Sequence, residues 1–134
     1  MKCQHFNIKE LVPPQVYKDR GQKAWQLLNP DLLVALDALR ATFGPAVVND
    51  WSWGGKYKQS GLRTSTIGAK YSQHRYGNAA DIKFKNVSAQ EVRQAIRADK
   101  DYWANFIRRI ENKVNWVHVD MSNTGSSKIQ WFNP

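Results

Sequence analysis

The apolar residues of this chain change their period as it runs, and that change limits the folds open to it. Leu32, Leu36, Leu39 and Phe43 recur every three or four positions behind Asn29-Pro30. Asn29 is a side chain that caps helices, and Pro30 loses nothing by lacking an amide in a first turn. The pattern predicts a helix that Gly44 stops. Ala79 to Phe84 instead alternates at period two, as a strand does when one face is buried, and Val114 to Asp120 and Lys128 to Phe132 read the same way. Ser88-Ala-Gln-Glu91 is a capping box opening a helix that buries Val92 and Ile96, and Trp103, Phe106, Ile107 and Ile110 form a second helical stripe. Ala46 to Trp51 reads as a further strand leading into a Gly54-Gly55 turn, and the polar stretch from there to Tyr71 as a loop. Upstream, Pro13-Pro14 interrupts any helix, and Val16, Ala24, Trp25 and Leu28 read as a packing segment. The expectation is an α+β fold, helices packed on a small antiparallel sheet, with the last two strands closing as a hairpin around Met121 to Ser126. Residues 1–134 are expected to form a single domain.

Hydrophobic residues make up 42% of the 134, with six Trp, enough to build one core despite the high charge. Trp25, Trp51, Trp103 and Trp116 read as core, and Trp53 and Trp131, beside turns and strand ends, as residues lining a cleft. Cys3 is the only cysteine, so any metal must be held by nitrogen and oxygen. Twenty Lys and Arg against eleven Asp and Glu give a net charge of +9, which attracts polyanions: nucleic acid, anionic membrane surfaces or the anionic polymers of a bacterial wall. No stretch approaches the roughly 20 apolar residues of a membrane span. Met1-Lys-Cys-Gln-His-Phe-Asn lacks the apolar centre of a signal peptide, so the expectation is a protein folded in a cytoplasm, or exported by other means, without membrane insertion.

Chemistry concentrates in three residues. His74 and Asp81 stand seven positions apart at the end of the polar loop, and His118 lies in a later strand. Two imidazoles and a carboxylate are the donor set that holds a catalytic zinc ion while leaving a fourth position for water. Gly77, Ala79 and Ala80 leave room for the backbone between the first two, and period-two geometry places Trp116, His118 and Asp120 on one face. His5 lies outside every motif and is expected to be exposed.

Ser60-Gly-Leu-Arg63, Ser72-x-His74-x-x-Gly77-x-Ala79-x-Asp81 and Trp116-Val-His118-Val-Asp120, in this order and at these intervals, resemble the zinc D-Ala-D-Ala carboxypeptidases and L-alanyl-D-glutamate endopeptidases. These enzymes cut peptidoglycan peptides and include many bacteriophage lysis enzymes. The resemblance covers about half of the chain. It implies that His74, Asp81 and His118 bind zinc and that Arg63 binds a carboxylate or carbonyl oxygen of a peptidoglycan peptide. Ser72, in the same motif, is a substrate-side residue that orders the loop through backbone hydrogen bonds. Anionic wall polymers are expected partners, while nucleic acid is not. A monomeric endolysin or virion-associated lysin, held in the host cytoplasm until it reaches the wall, fits that reading.

The chain departs from the family at the proton acceptor. Asn115 stands where many members have Glu or Asp three residues before the last ligand, and Trp116 stands where others have His. Neither accepts a proton in catalysis. Asp120 is the first replacement, and Glu111, assigned to the preceding helix, the second. Two other readings remain open: an impaired zinc-peptidase fold serving as a phage structural or binding protein, and a basic nucleic-acid-binding module using Lys56, Tyr57 and Lys58.

Overall fold

A computed structural model describes residues 1–65 and 68–134; positions 66 and 67, within the expected polar loop, lie outside the described residues. The chain forms α1 (Pro14–Arg20), a 3₁₀ turn (Gly21–Leu27), α2 (Pro30–Phe43) and β1 (Ala46–Val47). Two more 3₁₀ turns, Trp51–Trp53 and Gln73–Tyr76, precede β2 (Ala79–Phe84). Then come α3 (Ala89–Ala98), α4 (Lys100–Trp103), β3 (Arg109–Glu111), β4 (Val117–Asp120) and β5 (Gln130–Phe132). The caps act as their residue types require. The Asn29 side chain accepts from the Asp31 amide, and Ser88 and Glu91 satisfy each other's backbone amides. Pro14 sits in the first turn of α1, so the Pro pair opens a helix.

The five strands lie in the order β1-β2-β4-β3-β5, and every pairing is antiparallel except β3 with β5, so this α+β fold has a mixed sheet. Three expectations change. Ile110 belongs to β3, not to a helical stripe, because the helix ends near Trp103 and the chain turns back into the sheet. β4 and β5 run in opposite directions but do not pair, since β3 lies between them; the tight hairpin joins β3 to β4. The strand after α2 is only two residues long, ending where Trp51 to Trp53 coil into a 3₁₀ turn.

Alternation along the strands gives the sheet two unlike faces. Ala80, Ile82, Ile110, Val117 and Val119 are buried in the core with Leu32, Leu33, Leu36 and Leu39 of α2 and Val92 and Ile96 of α3. The other face carries Ala79, Asp81, His118, Asp120 and Arg109, paired in register as Ala79 with Asp120, Asp81 with His118 and Arg109 with Asp120. Chemistry-bearing residues thus share one face because apolar residues claim the other. Trp25 and Trp103 are buried and Trp51 partly so, but Trp116, in the bend just before β4, is 37% exposed.

Buried Asn49 fastens the N-terminal segment to the loop that follows. Its side-chain amide donates to the Val12 carbonyl at 3.2 Å, its oxygen accepts the Ser60 amide at 2.9 Å, and its own amide donates to the Glu10 carbonyl at 2.9 Å. Three hydrogen bonds from one residue fix where the Ser60 to Arg63 segment lies.

The hairpin between β3 and β4 turns at Lys113, whose φ of 62° is the left-handed conformation that costs a side chain about 1 kcal/mol. Lys113→Val should therefore lower stability by about 1 kcal/mol or more, while Lys113→Gly should be neutral or stabilising. Chemical denaturation checks both, and an undisturbed Val variant would contradict the hairpin position.

Candidate metal centre

Three neighbouring segments bring the site together. The Ser60 carbonyl accepts the Asp81 amide at 2.7 Å, and the Arg63 amide donates to the His74 carbonyl at 2.9 Å, so the Ser60 to Arg63 segment lies between β2 and the turn carrying His74. Gly61 is required there: a Cβ would collide with the Leu11 carbonyl, and the Gly61 carbonyl meets His74 Nδ1 at 2.9 Å. Gly77 ends the 3₁₀ turn at φ 70°, and its Cβ would collide with the Leu27 carbonyl. Both glycines are dictated by close backbone approach.

His74, Asp81 and His118 present ligand atoms that all lie within 4.8 Å of one another. His74 Nε2 is 3.3 Å and His118 Nδ1 2.9 Å from Asp81 Oδ1. The second nitrogen of each ring is committed elsewhere. His74 Nδ1 faces a carbonyl, which only accepts, so that nitrogen carries the hydrogen. His118 Nε2 lies 2.8 Å from Asp120 Oδ2. Asp120, fully buried, is gripped by Arg109 through Nε and Nη2, both at 2.9 Å. Arg109 keeps Asp120 anionic, so His118 donates from Nε2. With both rings neutral, His74 Nε2, His118 Nδ1 and Asp81 Oδ1 face one another as acceptors, an arrangement that positive charge relieves, either a proton or a metal ion. The donor set and its outer partners suit zinc, whose histidine ligands are usually held by a carboxylate or carbonyl behind the ring.

The electrostatics carry the same signature. Burial pushes the Asp81 pKa up, but hydrogen bonds and charge from His118 and His74 outweigh it and hold the carboxyl far below its usual range. Burial pushes His118 down, but the hydrogen bonds to Asp120 and Asp81 lift it to about 9. A proton stands in for the cation. For Asp120, too, burial raises the pKa and the hydrogen bonds from His118 and Arg109 lower it further than burial lifts it.

Arg63 Nη2 lies 3.8 Å from Asp81 Oδ2, and its Nε donates to the Gln59 carbonyl, which orients the fork beside the three acceptors. Ser72 orders the loop through its backbone, donating to the Ala69 carbonyl and accepting from the Arg75 amide; its hydroxyl makes no hydrogen bond among the described residues. His5 is exposed, and Trp53 is exposed at 63%. Glu111 is on β3, two residues from Arg109 and in register with Phe132.

Sequence reasoning missed Arg109, Phe132 and Lys83. Phe132 meets the His118 ring edge-on at 5.7 Å, with Arg109 stacked over it at 4.3 Å. Lys83 Nζ donates to the Val48 carbonyl and the Ser60 hydroxyl and lies 3.9 Å over the Tyr57 ring; burial lowers its pKa to about 8. Counting by two from Asp81 finds Lys83, whereas Arg109 was hidden by the helix assigned there.

A family model described as Peptidase M15 matches residues 4–120. The chain belongs to this family, and so is a metallopeptidase of a zinc-dependent group. No curated protein and no solved structure shows a significant match.

A metal ion held by this group would need the His118 Nδ1 that a proton occupies in the metal-free protein below about pH 9. Binding at pH 7 should therefore release close to one proton from this ring, and affinity should rise about tenfold per unit up to pH 9. Calorimetric titration in buffers of unequal protonation heat reads this directly, and heats independent of buffer would exclude it. The raised His118 pKa stabilises the metal-free fold fully below about pH 6.5, and this contribution disappears as the pH climbs through 9. His74→Ala, Asp81→Ala and His118→Ala should each abolish zinc retention, measured as bound metal per chain. Asp120→Asn should keep the metal but bind it about 10- to 100-fold more weakly.

Proposed function

Taking that membership as the premise, we propose that the chain is a zinc-dependent peptidase that hydrolyses the peptide part of bacterial peptidoglycan. The observation that carries the reading is the convergence of His74 Nε2, His118 Nδ1 and Asp81 Oδ1 with the Arg63 guanidinium beside them. The likeness of the motifs from Ser60 to Asp120 to wall-cleaving enzymes supports the substrate, as does a charge of +9 that draws carboxylate-bearing peptides. The same likeness supports a lysin role, with the chain produced in a host cytoplasm and acting on the wall as a monomer. Among the described residues no helix is long and apolar enough to cross a membrane.

Zinc held by His74, Asp81 and His118 would polarise the scissile carbonyl and bring a bound water toward ionisation near neutral pH. Arg63 supplies a planar pair of donors for a terminal carboxylate or for the oxyanion formed as water adds to the carbonyl carbon. Asp120 is poorly placed to take a proton from that water. Its oxygens already receive Arg109, His118 and the Ser122 amide, and it lies behind the His118 ring, at the nitrogen turned away from Asp81. We assign it to orienting His118.

Glu111 is the better proton acceptor. Extending the register of Arg109 with Asp120 and Ile110 with Val119 by one residue puts Glu111 opposite His118, and strand alternation puts it on the face of Arg109, partly exposed. Directly opposed side chains in such a ladder have Cβ atoms about 5 Å apart. From there Glu111 accepts the proton of the attacking water and returns it to the amine nitrogen as the carbon–nitrogen bond breaks. Two strands therefore supply what Asn115 lacks.

Peptidoglycan digested with the zinc-loaded protein should release peptides, identified by mass spectrometry, and a chelator should stop the release. Intact wall with full zinc occupancy would leave the fold in a binding or structural role. Glu111→Gln should lower turnover about 10²-fold without loss of zinc. Arg63→Ala should reduce kcat/KM, again with metal retained, and wild-type kinetics in either variant would remove that residue from the reaction.

A further inference from the structure

The chain between β4 and β5 arches over the start of β3. Together with the corner between α3 and α4, it borders an open cleft of about 1390 Å³. Trp131 lines this cleft, and strand alternation turns it to the side of β5 opposite Phe132 and the metal face. The arch and β5 also lie outside the residues matched by the family.

Four cations border the cleft, Arg97, Lys100, Arg108 and Lys128, against the single carboxylate of Asp101. Among the described residues none of the four forms an ion pair. The two guanidinium groups are fixed in place. Arg97 stacks on Trp131 at 3.7 Å and donates to Asn112 Oδ1 at 2.8 Å, and Arg108 donates to the Ala104 carbonyl at 2.8 Å. Neither contact neutralises charge. Lys100 and Lys128 are exposed at the rim. Uncompensated positive charge around a concave surface attracts a ligand with several negative charges, and the hydroxyls and amides of Ser122 to Ser127 suit one rich in hydroxyls.

We propose that this cleft is a second binding site, for a polyol phosphodiester chain. Nucleic acid carries the same phosphodiester but needs aromatic faces for its bases. The cleft offers one aromatic ring, Trp131, with a face already covered by Arg97. The site uses no metal ligand, so it stands or falls separately from the peptidase reading.

The test is calorimetric binding of glycerol phosphate oligomers to the full chain, zinc-free and zinc-loaded, with oligothymidylate of equal charge in parallel. The wild type should bind the polyol oligomers in both metal states, with affinity falling as salt rises. The Lys100→Glu/Lys128→Glu variant should bind at least about tenfold more weakly, with unchanged melting temperature and zinc content showing that it is folded. Absence of wild-type binding, or equal binding by wild type and variant, would overturn the proposal. Tighter binding of oligothymidylate, lost in the same variant, would make the cleft a nucleic-acid site instead.

Discussion

The site depends on a conflict of lone pairs. His74 Nε2, His118 Nδ1 and Asp81 Oδ1 are turned toward one another while the outer nitrogens of both rings are occupied by a carbonyl and a carboxylate. No rotation of a ring resolves this without breaking an outer hydrogen bond. Only positive charge does, and a proton is the weaker of the two available forms, because it serves one pair at a time. The fold thus carries a specification for a divalent cation in its own hydrogen bonds.

Most of the architecture can be traced to keeping that conflict in place. The Arg109 fork holds Asp120 so that the proton on His118 stays outside, and Phe132 and Arg109 stack into a wall beside the ring. Asn49 and Lys83 fix the Ser60 to Arg63 segment from opposite sides, one through backbone groups and the other through the Ser60 hydroxyl. The three candidate ligands come from the strand pair β2 and β4, whose reverse sides are core, and from a turn hydrogen-bonded to the neighbouring segment. Rigidity is inherited from apolar packing on the other face.

How far the sequence revealed this differs from element to element. Helix α2 was legible because Asn29, Pro30 and a clean apolar stripe agree, and β2 because alternation reflects one buried face. The three acceptors were legible from residue type and spacing. What stayed hidden was set by partners distant in the chain. Ile107 and Ile110 follow Trp103 at helical spacing, yet three-residue strands such as β3 are too short to show a period, and the helix stripe absorbed Arg109 and Glu111 with them. That single misreading concealed the partner of Asp120, produced a hairpin in the wrong place and demoted Glu111. Trp116 shows the opposite failure, since its size suggests core while its position in the bend before β4 leaves it exposed.

Adjacent residues of β5 serve opposite sides of the sheet: Phe132 walls the His118 imidazole, and Trp131 faces the basic cleft. That strand is three residues long, sits at an edge and is held by pairing to β3 alone. Cleavage just before β5 would remove Phe132 and Trp131 together while leaving His74, Asp81 and His118 in place on the 3₁₀ turn, β2 and β4. The three candidate ligands and the walls beside them are therefore assigned to different stretches of chain.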